Sequence, residues 1–425
     1  MKERASSKVR VRVPACIAAI AIALVAADGG AQTLAETAQR ECGRGSASEK
    51  IACYEAVLHP VARAGELERA LTALEAIAEA DPDVRRDGHL YVHGLGIAAY
   101  DAERDVAETF TRCTELFHAG CYHGVIQAYF SESGEADSAR VNGLCTQVRR
   151  LQPGQWTYFQ CVHGLGHGLT ILNRHDLRRG LEGCDLLAGG WERESCYGGA
   201  FMENVGNATH PHHASLMKDL DTAEEPDAHA HGDHGDAHPA AEGIPFRPVD
   251  PDDPHYPCTA IAERYGEACY GMQTTVMLHL NGSDFEAAAR TCDGAPQRFR
   301  RTCHQSLGRD ASGYAQQDAD ETRRLCALDR SAEAPWCYVG AVKAITDWTG
   351  TPDAGLSFCR DVAESEAKIR CYEAVGEQIG VMVSEDDGRA DACAAAAPPD
   401  RDVCLYGARV IAEKPAVLRA LDTGG

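Results

Sequence analysis

The sequence predicts an all-α fold, an α-solenoid of about ten helical hairpins, each closed at its neck by a disulfide. Three observations carry that reading. The cysteines fall into nine local pairs, the second members of the C-terminal pairs recur every 33 or 34 residues, and each second cysteine opens a phrase with helical periodicity. Self-similarity at such a period marks stacked supersecondary units, because one hairpin alone cannot bury its apolar face.

The first four pairs are Cys42 with Cys53, Cys113 with Cys121, Cys145 with Cys161, and Cys184 with Cys196. The other five are Cys258 with Cys269, Cys292 with Cys303, Cys326 with Cys337, Cys359 with Cys371, and Cys393 with Cys404. Most are separated by 11 or 12 positions. A metal centre gathers its ligands once, whereas this spacing repeats one pair nine times, so structural bridges are expected. The remaining cysteine, Cys16, lies in an N-terminal apolar run.

The phrases define the unit: CYEAVLHP, CYHGVIQAY, CVHGLGHGL, CYGGAFMEN, CYGMQTTVM, CHQSLGRDA, CYVGAVKAI, CYEAVGEQI and CLYGARVIA. A further copy, LYVHGLGIA, has Tyr91 in the cysteine's place. With that position counted as zero, +1, +4 and +8 are mostly apolar, as in Tyr372, Val375 and Ile379, and share one helical face. Position +3 is small in nine of the ten copies, which predicts a close helix crossing. A shorter helical pattern, such as DFEAAARTC, leads up to each first cysteine.

In chain order, residues 1–31 read as a secretory signal. A basic stretch, Lys2 to Arg12, precedes an apolar run from Val13 to Ala27, with cleavage expected near Ala27 or Ala31. That run is too short to cross a bilayer, and no later stretch is apolar enough to do so. The protein is therefore expected to be exported, periplasmic or extracellular. Residues 32–208 read as N-terminal repeats bearing histidines, 209–257 as an insertion, and 258–425 as C-terminal repeats.

The net charge is −23, which excludes nucleic acid and anionic lipid as partners. The insertion stretches the step between Cys196 and Cys269 to 73 residues. It carries His210, His212, His213, His229, His231, His234 and His238 among Asp, Gly and Pro, with no apolar periodicity, and resembles the histidine-rich loops of periplasmic zinc-binding proteins. That resemblance implies ion capture; the bland alternative is a solubilising insert.

The period near 34, the two-helix unit and one disulfide per unit from Cys42 to Cys404 resemble the secreted, cysteine-rich helical repeats of the Sel1-like and tetratricopeptide superfamily. The W-x2-L-G-x2-Y pattern of tetratricopeptide repeats is absent. The resemblance implies architecture and partner binding, and no functional residue.

The function question is posed by CVHGLGHG, Cys161 to Gly168. Positions +2 and +6 fall at about 200° and 240° on a wheel whose core face is near 75°, so they are expected along an exposed flank of a rod. His93, His123, His163 and His167 occupy that stripe. His163 and His167, one turn apart, can share a divalent transition metal, with His123 as third ligand and His93, Met202 or Glu203 as further candidates. Glu203, at +7, is expected nearer the disulfide side. Imidazole with thioether suits Cu; imidazole with carboxylate suits Zn or Fe. One rival is a metal-free scaffold binding a protein or peptide along the stripe. Another is a metal-dependent enzyme, although G-x-S-x-G, Walker and C-x-x-C-H patterns are absent and Gly164 stands where H-E-x-x-H needs Glu.

Overall fold

The computed structural model describes residues 30–152, 154–209 and 249–423, and every regular element among them is helical. Residues 1–29, most of the expected signal (1–31), and the seven insertion histidines lie outside the described residues. The first half begins with α1 over residues 30–42 and α2, Ala47–Arg63. Then come α3, Leu67–Ala80, α4, Pro82–Arg86, and α5, Gly88–Glu103. They are followed by α6, Val106–Phe110, α7, Leu116–Ser133, and α8, Ser138–Leu151. The half closes with α9, Gln155–Leu172, α10, Leu177–Asp185, and α11, Gly190–Thr209.

The second half opens with turns over 249–262, then α12, Gly266–Tyr270, and α13, Gln273–Asn281. Next are α14, Phe285–Asp293, α15, Arg300–Tyr314, α16, Ala319–Cys326, and α17, Pro335–Thr349. The last are α18, Pro352–Arg360, α19, Ser365–Met382, α20, Asp386–Cys393, α21, Asp400–Gly407, and α22, Ala416–Thr423. The turns before α12 depart from the expected unit: Cys258 is preceded by no helix.

The short helices start where the sequence supplies an N-cap. Asp105, Asp137, Asp176, Asp284 and Asp318 each accept hydrogen bonds from backbone N–H groups of the first turn that follows. Each such cap satisfies a donor the helix cannot, and contributes about 1 kcal/mol.

The expected cysteine pairs all stand at disulfide distance, with Cα atoms 5.5–5.8 Å apart. In the first half these are Cys42 with Cys53, Cys113 with Cys121, Cys145 with Cys161, and Cys184 with Cys196. In the second they are Cys258 with Cys269, Cys292 with Cys303, Cys326 with Cys337, Cys359 with Cys371, and Cys393 with Cys404. Most clip a shorter segment to the long helix that follows; Cys258–Cys269 and Cys393–Cys404 end instead on the short α12 and α21. Cys303 and Cys337 are fully buried, whereas Cys53 and Cys258 are half-buried and pack at the edge of the first core.

Two apolar cores result. One runs from Ala35 to Cys269 and contains Leu95, Phe110, Val125 and Phe201; the other runs from Tyr270 to Leu418 and contains Val342, Phe358 and Val375.

The long helices cross at glycine. A Cβ on Gly96 would collide with the Cys121 carbonyl, and one on Gly124 with the His93 carbonyl, so α5 and α7 meet backbone to backbone. The same reciprocal pair recurs at Gly166 and Gly199 (α9 with α11), Gly308 and Gly340 (α15 with α17), and Gly376 and Gly407 (α19 with α21). One partner is always at +3, as the sequence suggests, and the other at +5. Gly308, for example, is five residues after Cys303 and faces the Cys337 carbonyl. Between α7 and α9 the +3 glycine, Gly164, meets Ile126 instead, which is a looser fit. Tight and loose crossings thus alternate along the first half.

The second half folds back on the first. Helix α17 packs on α7, and α19 on α9. At that seam the Trp348 ring lies 5.0 Å from Phe117 and 4.9 Å from His118. Asp185 accepts from Tyr197, Tyr265 and Arg264, tying the start of the second half to α10 and α11. The chain is not an open rod in which each unit meets only its neighbours. The exposed histidine flank is overturned with it, because the long helices are covered on more than one side.

Candidate metal centre

Helices α7 and α9 lie side by side, and α9 in turn crosses α11 at Gly166 and Gly199. That arrangement aligns position +2 of α7 with +2 and +6 of α9. His123, His163 and His167 converge there, at 2%, 8% and 3% exposure, so the stripe points inward. The glycines between them serve the same end. Gly168 and Gly164 leave room for Phe130 and Ile126, and Gly166 lets the α11 backbone approach. The phrase CVHGLGHG is both scaffold and candidate site.

One nitrogen from each of the three rings lies within 4.8 Å of one from each of the others. The ring centroids are 5.1 Å apart for His123 and His163, 4.7 Å for His123 and His167, and 5.2 Å for His163 and His167. Three imidazoles bound tetrahedrally at about 2.05 Å would have centroids about 5.2 Å apart. The observed spacing is compatible with three imidazoles around one ion.

The outer nitrogens are already engaged. His123 Nε2 donates to Gln160 Oε1 at 3.1 Å, and His167 Nδ1 donates to Glu203 Oε2 at 3.0 Å. His163 is bonded to the backbone of Ser195. These bonds fix the tautomers: His123 carries its lone pair on Nδ1, and His167 on Nε2. Both atoms are buried without a hydrogen-bond partner among the described residues. Metal-binding histidines use this arrangement, with the far nitrogen held by a carboxylate, amide or carbonyl.

Burial also holds the rings neutral. It lowers His163 and His167 to about 3, and drives His123 well below the ordinary histidine value, with His167 and His163 adding repulsion. A neutral imidazole keeps the lone pair that a cation needs.

The other expected residues fall around this group. His93 is buried with its ring 6.4 Å from His167, beside the triad rather than within it. Glu203 does not turn toward the disulfide side. It bonds His167 and places its other oxygen 3.5 Å from His175 Nδ1, so it holds the His167 ring. Met202, its neighbour on α11, is half-buried.

Sequence reasoning missed Gln160, His175 and His89. Gln160 gives no periodic signal, since it precedes Cys161 where other copies vary. His89 had one: His89 and His93 repeat the four-residue spacing of His163 and His167. Comparisons with protein families, with curated proteins and with solved structures find no match for this chain.

Proposed function

We propose that this protein binds one divalent transition-metal ion, Zn, Cu or Fe, through His123, His163 and His167. The observation that carries the reading is the pair of buried lone pairs on His123 and His167 beside a third imidazole, each opposed by a bonded nitrogen. A buried polar atom without a partner is costly, and one ion satisfies both together. Glu203 and Gln160 orient the ligands, and Glu203 supplies the nearest negative charge. With three protein ligands the ion keeps a position for water or another small ligand.

The reading includes export, because paired cysteines persist in an oxidising compartment and the chain opens like a signal. No helix among the described residues is long and apolar enough to cross a membrane. The histidines of residues 210–238 would capture ions.

Elemental analysis of the protein extracted from its native compartment tests the binding. One ion per chain is expected, lost when His163→Ala and His167→Ala are combined. An ion retained at full stoichiometry by that variant belongs elsewhere and contradicts the proposal.

A further inference from the structure

We propose that His89 faces the open coordination position and accepts a hydrogen bond from the water that completes the ion's shell. The inference rests on the metal-binding reading and adds a residue that positions the bound ligand.

Four features converge on this one imidazole. Its Nδ1 donates to the Phe117 carbonyl at 2.9 Å, which leaves the lone pair on Nε2. Its ring lies 5.4 Å from His123 and 6.1 Å from His93. The nitrogens grouped within 4.8 Å are those of the triad and do not extend to His89. A water bound at about 2.1 Å that donates over about 2.8 Å reaches a nitrogen beyond the ligand shell, and His89, close to His123 but outside the triad's nitrogen group, is the residue we assign to that place.

The third feature is the backbone that makes the Phe117 carbonyl available. Phe117, His118 and Ala119 take φ values of 49°, 57° and 57°, three successive side-chain-bearing residues in the left-handed region. That conformation is strained and persists only where its surroundings enforce it. The enforcement is visible: Trp348 packs on both Phe117 and His118 from α17.

The fourth is a pair of glycines on either side of the contact. A Cβ on Gly88 would strike the Phe117 ring at 2.6 Å, and one on Gly120 would strike the His89 carbonyl and the Val92 side chain, both at 2.8 Å. Strain, two glycines and a tryptophan from the other half all hold a single ring in place. Trp348 thereby links the second half to the ion's open side.

The test uses the full-length protein loaded with Co(II), read by affinity and by visible absorption. Wild type should bind one ion. His89→Ala should still bind one, about 10–100-fold more weakly and with altered d–d bands, as supporting residues behave. His89→Gln, whose amide oxygen accepts the same bond, should return the wild-type bands. Trp348→Ala should weaken binding in the same direction by releasing the kink. Wild-type affinity and bands in His89→Ala would overturn the inference. So would loss as complete as in His163→Ala, since His89 would then be a direct ligand. A wild-type protein that binds no Co(II) overturns the underlying metal reading instead, and the two failures are distinct.

Discussion

Acid should unfold the metal-free protein through its histidine centre. Burial holds His163 and His167 near 3, against 6.5 for an exposed histidine. Between those values the unfolded chain binds protons that the folded chain refuses. Stability from these groups is therefore complete above 6.5 and falls with pH down to about 3. At about pH 5.5 the two rings together lower stability by about 3 kcal/mol. His123 acts in the same direction. With a urea slope of about 3 kcal/mol per M, the midpoint falls by about 1 M. The assay is urea unfolding in EDTA at about pH 7.5 and pH 5.5, followed by circular dichroism with the disulfides intact. His59, held at about 4 by burial, contributes a background loss outside the triad. The triple variant His123→Gln, His163→Gln, His167→Gln isolates the triad's share and should lose at least about 3 kcal/mol less than wild type over the same interval. Equal losses in the two proteins would refute the reasoning.

Three further expectations follow from the packing. Gly166→Ala should destabilise by about 3 kcal/mol, because its Cβ meets the Cys196 carbonyl, while Gly143→Ala on α8, with nothing near, should stabilise by about 0.5–1 kcal/mol. Thermal melts read both, and equal effects would contradict the crossing geometry. Asp347, raised to about 7 by burial, is tolerated better protonated, so its folded pKa lies above the unfolded value and stability is lost as pH rises between them. Asp347→Asn should therefore stabilise by up to about 4 kcal/mol at about pH 8 and be nearly neutral near pH 4, as denaturation at the two pH values would show. Replacing Cys359 and Cys371 together by Ala opens a bridge of sequence separation 12 and should cost about 3 kcal/mol, and an unchanged melt would deny the clip its role.

Much of the helical unit was legible because sulfur marked it. A cysteine pair constrains two helices at once, so its repetition exposed the hairpin pattern even where the segment before Cys258 formed no helix. The +3 glycines announced close crossings, yet their +5 partners went unread: a reciprocal contact has one half in each of two units, and no single phrase contains both. The inward turn of the histidines was hidden for a related reason. A helical wheel assigns one core face, but α7 and α9 are each packed by flanking long helices and by the opposite half. The return of α17 onto α7 leaves no periodic trace, since it depends on Trp348 meeting a left-handed turn at Phe117 and His118. His123, His163 and His167 were found because their spacing is local or one repeat apart. Gln160, which fixes the tautomer of His123, is an ordinary polar residue until the fold places it, and Glu203 was legible as a candidate ligand but not as the partner of His167.

The most direct test is anomalous diffraction at the zinc edge from crystals grown with one equivalent of zinc per chain. The metal centre predicts a peak about 2.1 Å from nitrogens of His123, His163 and His167, with Glu203 and Gln160 on the far sides of their rings. Zinc bound only elsewhere, with no peak among these three histidines, would contradict it.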